Sequence, residues 1–164
     1  MLSNYTVIIT GASSGMGKGF AEAFLAEGAN IVINARRREV LEQFAIDNVE
    51  YIDRIRYVAG DISDASTSKA LAQEALSAFG RIDLLINNAG TFIPKPFLEE
   101  TEESLDHYYS VAMKGSYLAT QAVIPAMQEQ QGGSIINIGS MWVENPLEAT
   151  PCSASQIAKG GMHS

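Results

Sequence analysis

The sequence predicts an α/β fold, an open parallel sheet wound on both faces by helices. Three observations carry the prediction. Short apolar runs of strand length alternate with helical periodicity along the whole chain. A glycine-rich turn, Gly11-Ala12-Ser13-Ser14-Gly15-Met16-Gly17, joins the first apolar run to the first helical one. Chemically loaded residues stand just after the strands, which is where open parallel sheets bind ligands.

Val7, Ile8 and Ile9 form a continuous apolar run, the pattern of a strand buried on both faces. Phe20, Ala21, Ala23, Phe24 and Leu25 follow the glycine turn at helical spacing. Glycine lets the backbone approach a phosphate, and a helix N-terminus aims free N–H groups and a positive dipole at it. Gly11, Ser13, Gly15 and Gly17 thus read as a cradle for a nucleotide diphosphate, with a plain strand-to-helix turn as the alternative. The spacing, Gly-x-x-x-Gly-x-Gly, differs from the commonest dinucleotide fingerprint.

Gly28 stops the first helix, and a second strand runs from Asn30 to Asn34. A helix from Arg37 to Asn48 turns Val40, Leu41, Phe44 and Ala45 to one side. The third strand, from Arg56 to Ala59, ends at Gly60-Asp61. Ser63 or Asp64 is positioned to cap the next helix, whose apolar face holds Ala70, Leu71, Ala75, Leu76 and Phe79 before Gly80 closes it. A fourth strand, from Ile82 to Ile86, enters Asn87-Asn88-Ala89-Gly90, and a loop with Pro94 and Pro96 follows. The acidic start at Thr101-Glu102-Glu103-Ser104 opens a long helix toward Met127. Gly132-Gly133 turns into a fifth strand from Ser134 to Ile138, a loop spans Gly139 to Thr150, and a last helix begins at Ser153 and runs toward Ser164. No repeat or linker interrupts this order, so residues 1–164 read as one dinucleotide-binding domain.

Composition narrows the function. A length of 164 residues is enough for a sizeable core, and no run is long and pure enough to cross a membrane. Met1-Leu2-Ser3-Asn4 lacks the features of a signal peptide. The one cysteine, Cys152, rules out an internal disulfide and fits a reducing, cytoplasmic setting. A net charge of −8 argues against nucleic acid or an anionic membrane as partner. Two distant histidines and one cysteine give no metal-ligand spacing.

NAD-selective sites usually hold an acid after the second strand, on the ribose hydroxyls. Here Asn34-Ala35 is followed by Arg36, Arg37 and Arg38, and a guanidinium suits a ribose 2′-phosphate. The cofactor reading is therefore NADP over NAD. Asp61 reads either as an acceptor for the adenine amino group or as a turn residue capping the next helix. Asn87 to Gly90 brings amides and a glycine to the end of a buried strand, where a cofactor or a simple turn is served.

Thr10-Gly-Ala-Ser-Ser-Gly-Met-Gly17 together with Asn87-Asn-Ala-Gly90, at this separation and in this strand order, resembles the classical short-chain dehydrogenase/reductase family along the whole chain. The resemblance implies a Rossmann-like sheet of about five strands in the order 3-2-1-4-5. It implies hydride transfer between NADP(H) and an alcohol or ketone, and a homo-oligomer formed through the long and catalytic helices. It implies cofactor contacts from Gly11, Ser13, Gly15, Met16, Gly17, Arg36, Asp61, Ile62, Asn88, Ala89, Gly90 and Lys159.

The family's catalytic set is an Asn on the long helix, a Ser after strand five, and Tyr-x-x-x-Lys on the next helix. By resemblance Ser140 takes the serine role and Lys159 the lysine role. Ser155 stands where the tyrosine belongs, and Ala112 where the asparagine belongs. Aligning Cys152 with the tyrosine instead would put Gln156 at the lysine, and Tyr108, Tyr109 and Tyr117 lie on the preceding helix. A phenol of pKa about 10 is tunable toward neutrality, whereas an alkyl hydroxyl is not. Loss of a positioned general acid costs ~10²–10⁴-fold. The family also continues well beyond Lys159, so the fifth strand is expected to be a bare edge. Met141, Trp142 and the stretch from Phe92 to Phe97 suggest apolar substrate walls. Two functions follow as expectations, an impaired oxidoreductase or a non-catalytic NADP-binding scaffold.

Overall fold

The structure is a computed structural model and describes residues 2–162. Five parallel strands, β1 (Thr6–Ile9), β2 (Asn30–Ala35), β3 (Ile55–Ala59), β4 (Leu84–Asn87) and β5 (Ser134–Asn137), lie in the order β3-β2-β1-β4-β5. The sheet is thus Rossmann-like, as the sequence predicts. Between the strands run α1 (Gly15–Ala26), α2 (Arg38–Asp47), α3 (Ala65–Phe79), α4 (Glu102–Tyr108), α5 (Gly115–Glu129) and, after β5, α6 (Ser153–Gly160).

The period of two along β1 sorts its side chains between two cores. Val7 and Ile9 pack with Leu25, Ile31, Ile33, Leu41 and Phe44 beneath α1 and α2. Ile8 faces the other way, onto Leu71, Ala75, Leu85 and Val123 of α3, β4 and α5. Val7, Ile8 and Ile9 are completely buried, each burial being worth about 1.5–3 kcal/mol. This is why the run is apolar without alternation.

Polar side chains fix the sheet's lower end. The Asp83 carboxylate accepts from the buried Thr6 N–H at 2.9 Å and from Arg81 Nε and Nη2 at 2.8 and 2.7 Å. Gln130, just past α5, gives Ile82 both halves of a ladder rung, accepting from its N–H and donating to its carbonyl at 2.9 Å each. The fourth strand therefore starts at Leu84, and Ile82 is held by a side chain instead of a neighbouring strand.

Several details differ from the sequence expectation. The long helix is interrupted by a π-turn, Tyr109–Lys114, with buried Ala112 inside it. Thr101 and Ser104 cap α4 reciprocally, Thr101 Oγ1 accepting from Ser104 N at 3.2 Å and Ser104 Oγ from Thr101 N at 3.1 Å. Neither Ser63 nor Asp64 caps α3 with its side chain. Instead Asp61 Oδ1 accepts from Ser63 N and Oγ at 2.9 and 2.7 Å, closing a tight turn one step earlier. Leu76 is exposed, the buried stripe of α3 running through Thr67, Ser68, Leu71, Ala72 and Ala75. The last helix ends at Gly160, short of the expected run to Ser164, with Gly161 and Met162 in a turn; His163 and Ser164 lie outside the described residues. On β5, Ile135 and Ile136 are 36% and 46% exposed on an outer edge that no strand covers among the described residues.

Asp83 and Arg81 should separate cleanly in denaturant unfolding. Asp83→Ala leaves a buried N–H unpaired and should lower stability by about 1–3 kcal/mol. Arg81, whose side chain is 48% exposed, should cost under about 1 kcal/mol when changed to Ala. Equal effects would mean that the ion pair, and not the Thr6 bond, holds this end.

Candidate active site

The first and fourth strands end in two loops that are clasped to each other. Thr10 Oγ1 accepts from Asn88 N and Ala89 N at 3.0 Å each. The Asn88 amide returns the contact, Nδ2 donating to the carbonyls of Thr10 and Gly11 at 3.0 and 3.1 Å. Space is so short here that a Cβ on Gly11 would lie 2.7 Å from Ala89 Cα, and one on Gly17 would lie 2.5 Å from Asn88 Nδ2. Gly15 shares the left-handed backbone of Gly11, with φ of +55° and +67°, but a Cβ on Gly15 would meet nothing within 4 Å. Gly17 is small for packing, and Gly15 for its backbone conformation beside open space.

A cleft of about 140 Å³ opens above this clasp. Gly11, Ser13 and Ser14 form its floor, Asn34, Ala35 and Arg36 one side, and Gly60, Asp61 and Ile62 the next. Ala89, Gly90 and Thr91 close it from β4, and His107 and Val111 from α4 and the π-turn. Of the sequence-predicted binding residues, Gly11, Ser13, Arg36, Asp61, Ile62, Ala89 and Gly90 line the cleft. Met16 stands 62% exposed at the start of α1, and Asn88 is turned into the clasp. The three arginines do not act together. Arg38 pairs with Glu42 at 2.8 Å and lies over the Tyr57 ring, leaving Arg36 as the arginine that lines the cleft.

Asp61 lines the cleft and closes the turn ahead of α3. Its Oδ1 closes the turn on Ser63, and those two hydrogen bonds hold its carboxyl below the usual range, with Arg36 and His107 adding smaller electrostatic help. Sequence reasoning missed His107, Val111, Ser14 and Thr91. The signal for the first two was a helix passing over the carboxyl ends of the strands, and a break in that helix decides which of its residues face inward.

Beyond Gly90, outside the cleft lining, Lys159 reaches from α6 to the residues just after β5. Its Nζ donates to the carbonyls of Ile138 and Gly139 at 2.9 and 3.1 Å, and burial pushes its pKa down. A Cβ on Gly90 would lie 3.8 Å from Lys159 Cε, so the lysine borders the β4 loop. Gln156 does not take this place: its Nε2 donates to the Trp142 carbonyl at 2.9 Å. Ser140 caps a short 3-10 turn, its Oγ accepting from Trp142 N at 3.3 Å. Ser155 and Ala112 are 4% and 2% exposed, both packed inward. Tyr108 is closer to α6 than the spacing suggests. It packs with Ala112, Ala154 and Ala158, while its hydroxyl donates to Ile93 O at 3.1 Å and accepts from Ile93 N at 2.7 Å. Tyr109 and Tyr117 are exposed.

A parallel sheet in this order, with a glycine turn and a cleft at its carboxyl ends, defines a Rossmann-like α/β protein. Comparison with known sequences narrows this, the short chain dehydrogenase profile matching residues 5–164. The chain belongs to the short-chain dehydrogenase family. It is 33% identical over 165 residues to the (2S)-[(R)-hydroxy(phenyl)methyl]succinyl-CoA dehydrogenase subunit BbsD of Thauera aromatica, covering 98% of this chain and 65% of that one. A short chain dehydrogenase from Bacillus anthracis superposes with a TM-score of 0.91 at 30% identity, covering 99% of this chain and 67% of that one. The L-sorbose reductase of Gluconobacter frateurii, solved with NADPH and L-sorbose, gives 0.89 at 30% identity, over 98% and 61%. The chain spans 40% to 65% of the length of curated relatives it matches.

Thr10→Val removes one acceptor from two N–H groups and should destabilise the protein by about 2–5 kcal/mol, whereas Thr10→Ser keeps the acceptor and should cost under about 1.5 kcal/mol. Thermal or denaturant unfolding measures both. Equivalent losses would assign Thr10 a packing role only.

Proposed function

We propose that residues 1–164 form the dinucleotide-binding domain of an NADP-dependent oxidoreductase that interconverts a small alcohol and its ketone. The observation that carries this reading is Arg36 lining the cleft at the end of β2 with no carboxylate beside it on that strand end. The residues present fit such a cofactor. Gly15 leaves its surroundings open, Thr91 Oγ1 is buried without a partner, and Ser13 and Ser14 border the start of α1 where a diphosphate is stabilised. Arg36 would pair with the 2′-phosphate, Asp61 and Ile62 would border the adenine, and Ala89 and Gly90 would lie along the nicotinamide ribose. When bound, the cofactor supplies or accepts the hydride.

The chain's own groups would position the substrate. Ser140 Oγ already accepts from Trp142 N, so its hydroxyl hydrogen is left to donate to a substrate oxygen. An ammonium has three donors, and Lys159 gives two to the carbonyls of Ile138 and Gly139 just after β5, leaving one for a ribose hydroxyl. Met16 and Gly17 support the turn, and Asn88 acts through the clasp. Ser155 replaces the family's phenol with a buried alkyl hydroxyl, which lacks the acidity to deliver a proton. Turnover is therefore expected to be slow.

The relatives do not choose the substrate, since one is named for a phenyl-bearing succinyl-CoA and a neighbour for sorbose. Among the described residues no helix is long and apolar enough to cross a membrane and no group of ligating side chains is placed to hold a metal. The buried, unpaired Cys152 fits a cytoplasmic setting. A homo-oligomer is part of this reading, through α5 and α6.

NADPH and NADH titrations test the cofactor. Arg36→Ala should weaken NADPH by about 10–100-fold and leave NADH unchanged. Equal affinity for the two cofactors in the parent chain would sink the NADP reading. A second reading, a binding protein without catalysis, is favoured by the burial of both Ser155 and Ala112. Ser155→Tyr discriminates: NADPH-dependent ketone reduction should rise by at least ~10²-fold if the site is an impaired enzyme. No rise while NADPH still binds would support the scaffold.

A further inference from the structure

The loops after β4 and β5 meet beside Ser140. Phe92 of the first stacks on Trp142 of the second, with ring centroids 4.7 Å apart and planes at 17°. Trp142 is fixed through its backbone. Its N–H donates to Ser140 Oγ at 3.3 Å, and its carbonyl accepts from Gln156 Nε2 of α6 at 2.9 Å. Its ring edge is unsatisfied, the buried Nε1–H having no acceptor. Phe92 is the looser partner. It is 44% exposed on a stretch without helix or strand. The chain is pinned again one residue later, where the Tyr108 hydroxyl takes both polar groups of Ile93. One residue earlier, Thr91 Oγ1 is also buried and unpartnered.

The indole, held through its backbone two residues after Ser140, is thus covered by a half-exposed ring on a loop without helix or strand. We infer that the Phe92–Trp142 pair is an aromatic gate and that Trp142 selects the substrate: an aromatic ring of the substrate replaces Phe92 on the indole face. This places a carbonyl attached to that ring next to Ser140 Oγ. The substrate class is then an aryl ketone or the corresponding aryl carbinol. The inference rests on the oxidoreductase reading of this site. An aromatic ring exchanges one stacked contact for another of the same kind, with the quadrupoles offset as before. A saturated ring breaks the Phe92 contact and supplies no π-face in return. Opening also releases the indole N–H, whose burial without an acceptor is costly, to a substrate oxygen or to water.

Acetophenone and cyclohexyl methyl ketone share the carbonyl and differ in aromaticity. Calorimetric titration of the NADPH-loaded chain should show acetophenone binding roughly fivefold tighter. Trp142 is the chain's one tryptophan, so its emission should change as the ring partner is exchanged. Phe92→Ala removes the competing ring and should tighten acetophenone further. Trp142→Leu should abolish the preference, and Trp142→Phe should retain it. NADPH affinity, measured first, should be the same in all four proteins. Equal affinity for the two ketones in the parent chain, or weaker acetophenone binding in Phe92→Ala, overturns the gate and leaves the oxidoreductase reading standing. A parent chain that fails to bind NADPH overturns both.

Discussion

One hydroxyl joins the two halves of the candidate site. Thr10 Oγ1 receives the N–H groups of Asn88 and Ala89, and Asn88 answers through the carbonyls of Thr10 and Gly11. These loops come from strands that are neighbours in space and more than seventy residues apart in sequence, with |i−j| of 78 for the Thr10–Asn88 bonds. Their close approach requires glycine at positions 11 and 17. The cleft is therefore shaped by backbone, and only its rim is set by side chains such as Arg36, Asp61 and His107.

The parts of this arrangement legible in the sequence are those that strands and turns impose locally. Val7 to Ile9, Ile31 to Ile33 and Leu84 to Ile86 are apolar without alternation because both faces of the sheet are covered. Glycine, arginine and acidic residues at the strand ends follow from topology, which gathers those ends along one side. Lys159 is singled out through the family resemblance alone, and its ammonium donates to the two carbonyls just after β5. Ile135 and Ile136 lie exposed on the edge strand, which no further strand covers among the described residues.

What the sequence hid are contacts decided by three-dimensional phase. Ser63 or Asp64 looked like a helix cap, yet Asp61 captures Ser63 first, because a side chain two residues back reaches those groups without any helix. Leu76 fits an apolar stripe by spacing alone, but α5 covers a neighbouring stripe of α3. Tyr108 and His107 are adjacent in sequence and serve different surroundings, one under α6 and the other in the cleft. No periodicity that assumes a continuous helix assigns them correctly.

The π-turn at Tyr109–Lys114 acts on this as a phase shifter. A wide turn takes up one residue more than an α-turn, and one residue is about 100° of rotation. The helix before it and the helix after it can therefore face two different cores from a single axis, α4 toward α6 and the cleft, α5 toward α3 and β4. Removing one residue from 109–114 would restore a regular helix of nearly the same length and sequence. It would also swing Tyr108 out from under Ala154 and Ala158 and turn His107 off the cleft, uncoupling the cleft from α6 while leaving both sequences intact.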